Sequence, residues 1–231
     1  MRVRLLFCKI VGQENKEAID MTEKSIDLFL SELSSGAPVP GGGGASALAG
    51  AAASALASMV ANLTTGKKKY ADVQDEMEEM IVEIRDIQAK LLALVEKDIE
   101  IFEPLSKLYR VHPETKNGKR KHEIEMEKAL HDACMVPMDI IRECGRAIEL
   151  SREFARKGNR IAVSDAASSA VLCKAAMQAA SLNVYINTNM MKNKKVAEKL
   201  NARCASYIVY YSGLADGVFG YTANRLMNTV L

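Results

Sequence analysis

Hydrophobic positions along this chain fall into helical registers separated by short polar turns. The longest register runs Met77, Ile81, Ile84, Gln88, Leu91, Val95, Asp98, Phe102 and Leu105, at alternating steps of four and three. That spacing predicts one long helix presenting a continuous seam to its neighbours. Gln88 and Asp98 are the polar members of an otherwise apolar seam. Pro104 is expected to kink or end the helix. Upstream, Ile26, Phe29, Leu30 and Leu33 predict a short helix capped by Thr22 and closed by Gly36. Residues 110–123 are polar, basic and rich in turn formers, and read as an exposed loop. Helical spacing resumes at Ile124 and continues through Leu130, Cys134, Met138, Ile141 and Ile148 to about Phe154, with a bend expected at Pro137. Gly158 and Asn159 close that helix. Ser164 is a natural cap for the next, with Asp165 in its first turn. A last helix carries Val196, Leu200, Cys204, Tyr207, Ile208 and Tyr211 toward Leu214. Nothing after residue 20 alternates as a strand would. The predicted fold is all-α, a bundle of long antiparallel helices.

One stretch breaks the pattern. Residues 38–64 read PVPGGGGASALAGAAASALASMVANLT, and no charged residue occurs from Leu33 to Gly66. The Ala-rich part predicts a helix whose small side chains let other helices pack closely. Four consecutive glycines, Gly41, Gly42, Gly43 and Gly44, are not needed for that. Without Cβ atoms they allow a ligand or another chain segment to approach the backbone. A helix start there leaves amide donors pointing one way, which suits an anion or a polar heterocycle. The stretch is long enough to cross a membrane. It is rich in Ala, Gly and Ser and lacks aromatic flanks, so a buried helix of a soluble protein is expected.

Composition narrows the classes. The 231 residues fit one domain, or at most two, with a substantial core. A net charge of +2 gives no basic surface that would imply a nucleic-acid or membrane partner. Five cysteines lie scattered without a CxxC pair, as expected of reduced thiols in a cytoplasmic protein. His112, His122 and His131 have no metal-ligand spacing and are expected at the surface, so no metal is implied. The opening MRVRLLFCKIVG has an apolar run interrupted by Lys9 and no small-residue cleavage site. Lys16 and Glu17 can be encoded AAG GAG, a ribosome-binding sequence just ahead of Met21. The natural start is therefore expected at Met21, making residues 1–20 a segment apart and residues 21–231 the helical domain.

Several residues invite chemistry. A carboxylate on an apolar seam is costly unless paired or hydrogen-bonded. Asp98 is therefore either a structural group, satisfied by a lysine or a helix start, or a general acid or base of raised pKa. Lys67, Lys68 and Lys69, beside Tyr70, form either a solvated patch or an anion site. Asn183 and Asn187 stand one turn apart in the uncharged residues 175–191, and either bridge helices or read a heterocycle. Capping alone would account for Ser164 and Asp165. The seam and residues 175–191 offer more apolar surface than one bundle needs, which predicts a homodimer.

Five motifs, PVPGGGGASALAG, MVANLTTGKKKY, EKDIEIF, KGNRIAVSDAA and NVYIN, in this order and spacing, resemble the cyclodeaminase/cyclohydrolase family of folate enzymes. The likeness covers about Ser25 to the C-terminus. The family often has Ser after three glycines, where this chain has Gly44, with Ser46 two places on. The resemblance implies an all-α homodimer, a tetrahydrofolate derivative as substrate, and no permanently bound cofactor or metal. It implies either hydrolysis of 5,10-methenyltetrahydrofolate to 10-formyltetrahydrofolate, or release of ammonia from formiminotetrahydrofolate to form the methenyl compound. A stand-alone chain favours the first. A non-catalytic helical dimerisation protein is the alternative of another class. On this resemblance Asp98 is the first choice for acid/base and Asp165 the second. Lys68, or a neighbour, would act on the reacting nitrogen, and Lys67 and Lys69 would hold the glutamate tail. The glycine loop, Asn183 and Asn187 would hold the pterin. The same motifs nominate Pro40, Ser46, Asn62, Tyr70, Asn159 and Ser164 for substrate binding.

Overall fold

The structure is a computed structural model that describes residues 25–228. The expectations for residues 1–20 and for Thr22 lie outside the described residues. Among the described residues six helices follow one another: α1 (Ile26–Leu33), α2 (Gly42–Asn62), α3 (Gln74–Leu108), α4 (Lys116–Lys157), α5 (Val163–Met190) and α6 (Lys194–Asn228). Short 3-10 turns at Lys68–Val73 and Arg160–Ala162 link α2 to α3 and α4 to α5. No strand occurs among the described residues. Helices α2 to α6 pack side by side, each against the next in sequence, with α5 touching α2, α4 and α6. Short connections between contacting helices make consecutive helices run in opposite directions.

Small residues put α2 inside the bundle. Its buried face includes Ala47, Gly50, Ala51, Ala53, Ala57, Val60 and Ala61. A Cβ at Gly50 would lie 2.7 Å from Cys144 Sγ and 3.3 Å from Leu91, so α3 and α4 both close in there. Ser54 is fully buried and returns its hydroxyl to the Gly50 carbonyl at 2.9 Å, leaving no unsatisfied donor. By length and composition α2 is apolar enough to cross a membrane, and most of it is buried within the bundle. Cys134, Cys144, Cys173 and Cys204 are free and buried.

The seam of α3 buries Met77, Ile81, Ile84, Ile87, Leu91, Val95 and Leu105. Ile87 takes the place expected of Gln88, which is only half-buried. From Ile84 to Leu91 the buried positions step three then four where four then three was expected, so the seam keeps its seven-residue span and only the middle position changes.

Other boundaries move for local reasons. Ser25 caps α1, its hydroxyl accepting from the Leu28 amide at 3.2 Å, and the helix ends at Leu33, before Gly36. Pro104 does not end α3, which runs on to Leu108. Helix α4 begins at Lys116, well inside the expected loop, because Thr115 caps it through the Gly118 amide at 3.1 Å. Its first turns are exposed and polar, which is why they resemble a loop. His112 is exposed; His131 is half-buried, as is His122, whose Nε2 lies 3.0 Å from the Leu108 carbonyl. Ser164 is not a cap. Ala162 occupies that position of α5, with Asn159 capping the preceding 3-10 turn through the Ile161 amide at 3.1 Å.

Candidate active site

The first turn of α2 begins at Gly41, which has no side chain to cap it. Asp98, half-buried on α3, supplies the missing acceptor: the Gly44 amide donates to Asp98 Oδ2 at 2.9 Å. The carboxylate comes this close because Gly43 has no side chain. A Cβ there would fall 2.1 Å from Asp98 Oδ1. The anion at this helix start is therefore the protein's own. Burial raises the Asp98 pKa above its ordinary 3.8, the Gly44 amide opposes the rise, and no cation contributes. The lysine partner foreseen in the structural reading of Asp98 is absent among the described residues, and the helix start is present.

Asp98 opens on a cavity of about 490 Å3. Gly41, Gly42 and Gly43 form one wall with Asp98, and Phe102 on α3 and Tyr109 just past its end extend it. Helix α4 contributes Ala133 and Val136; α5 contributes Asn183, Ile186, Asn187 and Met190. The lining is mainly apolar with a few convergent polar groups, the usual character of a small-molecule site. Asn183 lies beside Gly42, its Nδ2 3.6 Å from where a Cβ would stand. The Asn187 amide donates to the Ala133 carbonyl at 3.1 Å. Tyr109 Oη lies 3.3 Å from Met190 Sδ, and burial raises the tyrosine's pKa. Tyr109 was not foreseen, although its spacing of seven from Phe102 places it on the same face of α3.

The remaining nominated residues are elsewhere. Pro40 is buried against Gly44, behind the cavity wall. Ser46 turns its hydroxyl to the Gly42 carbonyl at 2.6 Å and is buried. Asn62, Lys67, Lys68, Lys69 and Tyr70 lie at or beyond the opposite end of α2, roughly 30 Å away at 1.5 Å per residue. There they meet the start of α5. Asn159 donates to the Leu63 carbonyl at 2.8 Å, and its own amide donates to Thr64 Oγ1 at 2.8 Å. The Arg160 amide donates to the Tyr70 hydroxyl at 3.1 Å. Arg85 donates to Asn62 Oδ1 at 3.2 Å. The three lysines are exposed, Lys69 lying 5.7 Å from the Tyr70 ring centre. Ser164 and Asp165 stand in the first turn of α5, most of that helix away from Asn183 and Asn187. The chain thus gathers Asp98, the glycines and the two asparagines at one end, and keeps the lysines, Asn159 and Asp165 apart.

Comparison with known proteins agrees with these motifs. The formiminotransferase-cyclodeaminase family model matches residues 25–206. A methenyltetrahydrofolate cyclohydrolase of Methylorubrum extorquens is 35% identical over 176 residues, covering 76% of this chain and 85% of the relative. A formimidoyltransferase-cyclodeaminase of Rattus norvegicus is 25% identical over 81% of this chain, which spans 35% of that longer protein. The crystal structure of formiminotetrahydrofolate cyclodeaminase from Thermotoga maritima superposes with a TM-score of 0.76 at 30% identity, covering 91% of this chain and 99% of that one.

Proposed function

Because the chain belongs to the formiminotransferase-cyclodeaminase family, we propose that it is a folate one-carbon enzyme hydrolysing 5,10-methenyltetrahydrofolate to 10-formyltetrahydrofolate. The observation that carries this reading is Asp98, a carboxylate without a cationic partner among the described residues, at the wall of a mainly apolar cavity. The substrate's amidinium is a cation and supplies the missing charge. Water adds to the amidinium carbon and gives a proton to Asp98. The bond from that carbon to N5 breaks, N5 takes the proton from Asp98, and the hydroxyl proton leaves to solvent as the formyl group forms on N10. A base of raised pKa suits both transfers. The folate is substrate throughout, with no permanently bound cofactor.

Release of ammonia from formiminotetrahydrofolate is the second reading. The match to the Thermotoga maritima cyclodeaminase along nearly its whole length supports it. The higher identity to the Methylorubrum extorquens cyclohydrolase supports the first. Following loss of methenyl absorbance and, separately, ammonia release from the formimino compound decides between them. Fast methenyl loss is expected. Rapid ammonia release with slow methenyl loss would reverse the assignment, and inertness toward both would leave a non-catalytic helical protein.

We also infer a homodimer. Leu182 and Ile186 on α5 and Val209 and Phe219 on α6 are all more than half exposed, apolar surface that a second copy would cover. The lysines enter through the same dimer. Lys67, Lys68 and Lys69 are too far from Asp98 of their own protomer to hold one ligand with it, so in this reading they serve the partner's cavity. Four buried free thiols support a reducing, cytoplasmic setting.

A further inference from the structure

Pro137 lies inside α4 and is buried. It has no amide hydrogen, so the carbonyl four residues earlier, that of Ala133, loses its helix partner. Asn187 on α5 replaces it, donating from Nδ2 at 3.1 Å. A carbonyl oxygen only accepts, so the NH2 half of this side chain must face α4. The amide is planar, and its Oδ1 is held on the other side. No donor among the described residues reaches that oxygen, and both Ala133 and Asn187 line the cavity that Asp98 opens on.

We propose that Pro137 is a positioning residue: by freeing the Ala133 carbonyl it locks the Asn187 amide, so that Oδ1 is a fixed acceptor for an N–H of the bound heterocycle. This rests on the folate reading. A tetrahydropterin carries N–H donors on its pyrimidine edge and at N8, and the cavity answers them with Asn187 Oδ1. An amide free to rotate would offer donor and acceptor in turn, and would lose binding when the wrong half faced the ligand. The Ala133 carbonyl prevents that rotation without spending a side chain of α4.

The variants Pro137→Ala, Asn187→Leu and their combination test this in methenyltetrahydrofolate hydrolysis, with melting followed in parallel. Alanine restores an amide that competes for the Ala133 carbonyl. KM is expected to rise about fivefold, the scale of one hydrogen bond, with kcat little changed and melting unchanged or higher. Asn187→Leu is expected to raise KM about as much or more, and adding Pro137→Ala to it should change KM no further. Equal KM for Pro137→Ala and wild type, or additive effects in the double variant, would overturn the proposal. Should Pro137→Ala fail to fold, Pro137→Leu replaces it, restoring the same amide with an apolar side chain: a KM raised about as far is expected, and a wild-type KM would overturn the proposal. A wild-type protein inert toward both folates would instead sink the functional reading, and this inference with it.

Discussion

Gly44 caps nothing itself but is capped from a distance, its amide held 2.9 Å from Asp98 Oδ2. This contact joins the two most unusual features of the sequence, the four glycines and the polar residue on the α3 seam. The first amides of a helix need acceptors, and an all-glycine start provides none locally. A carboxylate from a neighbouring helix meets that need and gains from the helix dipole. Burial works against it, and burial is the larger effect on its pKa. Asp98 thereby caps α2 while burial at the cavity wall holds its pKa raised.

Asp98→Asn separates the two roles. Asparagine keeps an oxygen to accept from Gly44 but cannot take a proton from water or balance a substrate cation. Turnover is expected to fall by about a hundredfold or more, the common range for loss of an acid or base. Melting at neutral pH should stay level or rise. Near-normal turnover per folded molecule with clear destabilisation would make Asp98 a cap only, and would move attention to Asp165.

Acidity offers an independent check. The folded-state pKa of Asp98 lies above the unfolded value of about 3.8. Between the two values the folded protein holds a proton that the unfolded chain has released. The group's contribution to stability is therefore complete below pH 3.8 and declines as pH rises through the raised value. Asp98→Asn, which does not titrate, should gain stability relative to wild type across that window and hold the gain above it. Paired thermal melts from pH 3 to 8 measure the difference. A gain that grew toward acid would mean that the carboxylate is stabilised, not strained, by its surroundings.

Gly43→Ala should act through Asp98. The new Cβ claims a position 2.1 Å from Oδ1, so the carboxylate must swing away. Displacement of a reacting group by about an ångström can cost about a hundredfold, and a loss of that order in kcat/KM is expected. Gly36→Ala is the control, since no described residue lies within 4 Å of its Cβ position. Its kinetics should match wild type. Full activity in Gly43→Ala would show that Asp98 need not sit where it does.

The helices were legible because their buried faces repeat. Asp98, Asn183 and Asn187 stood out as polar residues on apolar or uncharged stretches, and the structure brings all three to one cavity. Ile87 and Gln88 both lie a helical step from Ile84 and from Leu91, so spacing alone did not choose between them, and the exposed polar start of α4 passed for a loop. Buried Glu143 could not be read, because its partners Arg142 and Arg146, at 3.2 and 2.8 Å, make the same charge pattern as a solvated face. The harder failure was spatial. PVPGGGG and TTGKKKY are close in sequence, yet α2 runs the length of the bundle between them. Motif order says which residues belong together in a family, and only the helix lengths say which can touch one ligand.

That separation makes the inferred homodimer testable. If Lys68 serves the cavity of the partner protomer, Asp98→Asn and Lys68→Ala damage the same site from different chains. Each variant alone should be poorly active. In a mixed dimer, one site draws its intact Asp98 from the Lys68→Ala chain and its intact lysine from the Asp98→Asn chain, while the other site carries both lesions. Random exchange makes about half the dimers mixed, each with one working site, so activity should recover to about a quarter of wild type. Light scattering on the same mixture confirms the mass of two chains. No recovery after subunit exchange, with both variants still dimeric, would return the lysines to the solvated surface. A monomer with full activity would remove the shared site altogether, and would leave the cavity of one protomer sufficient for the reaction.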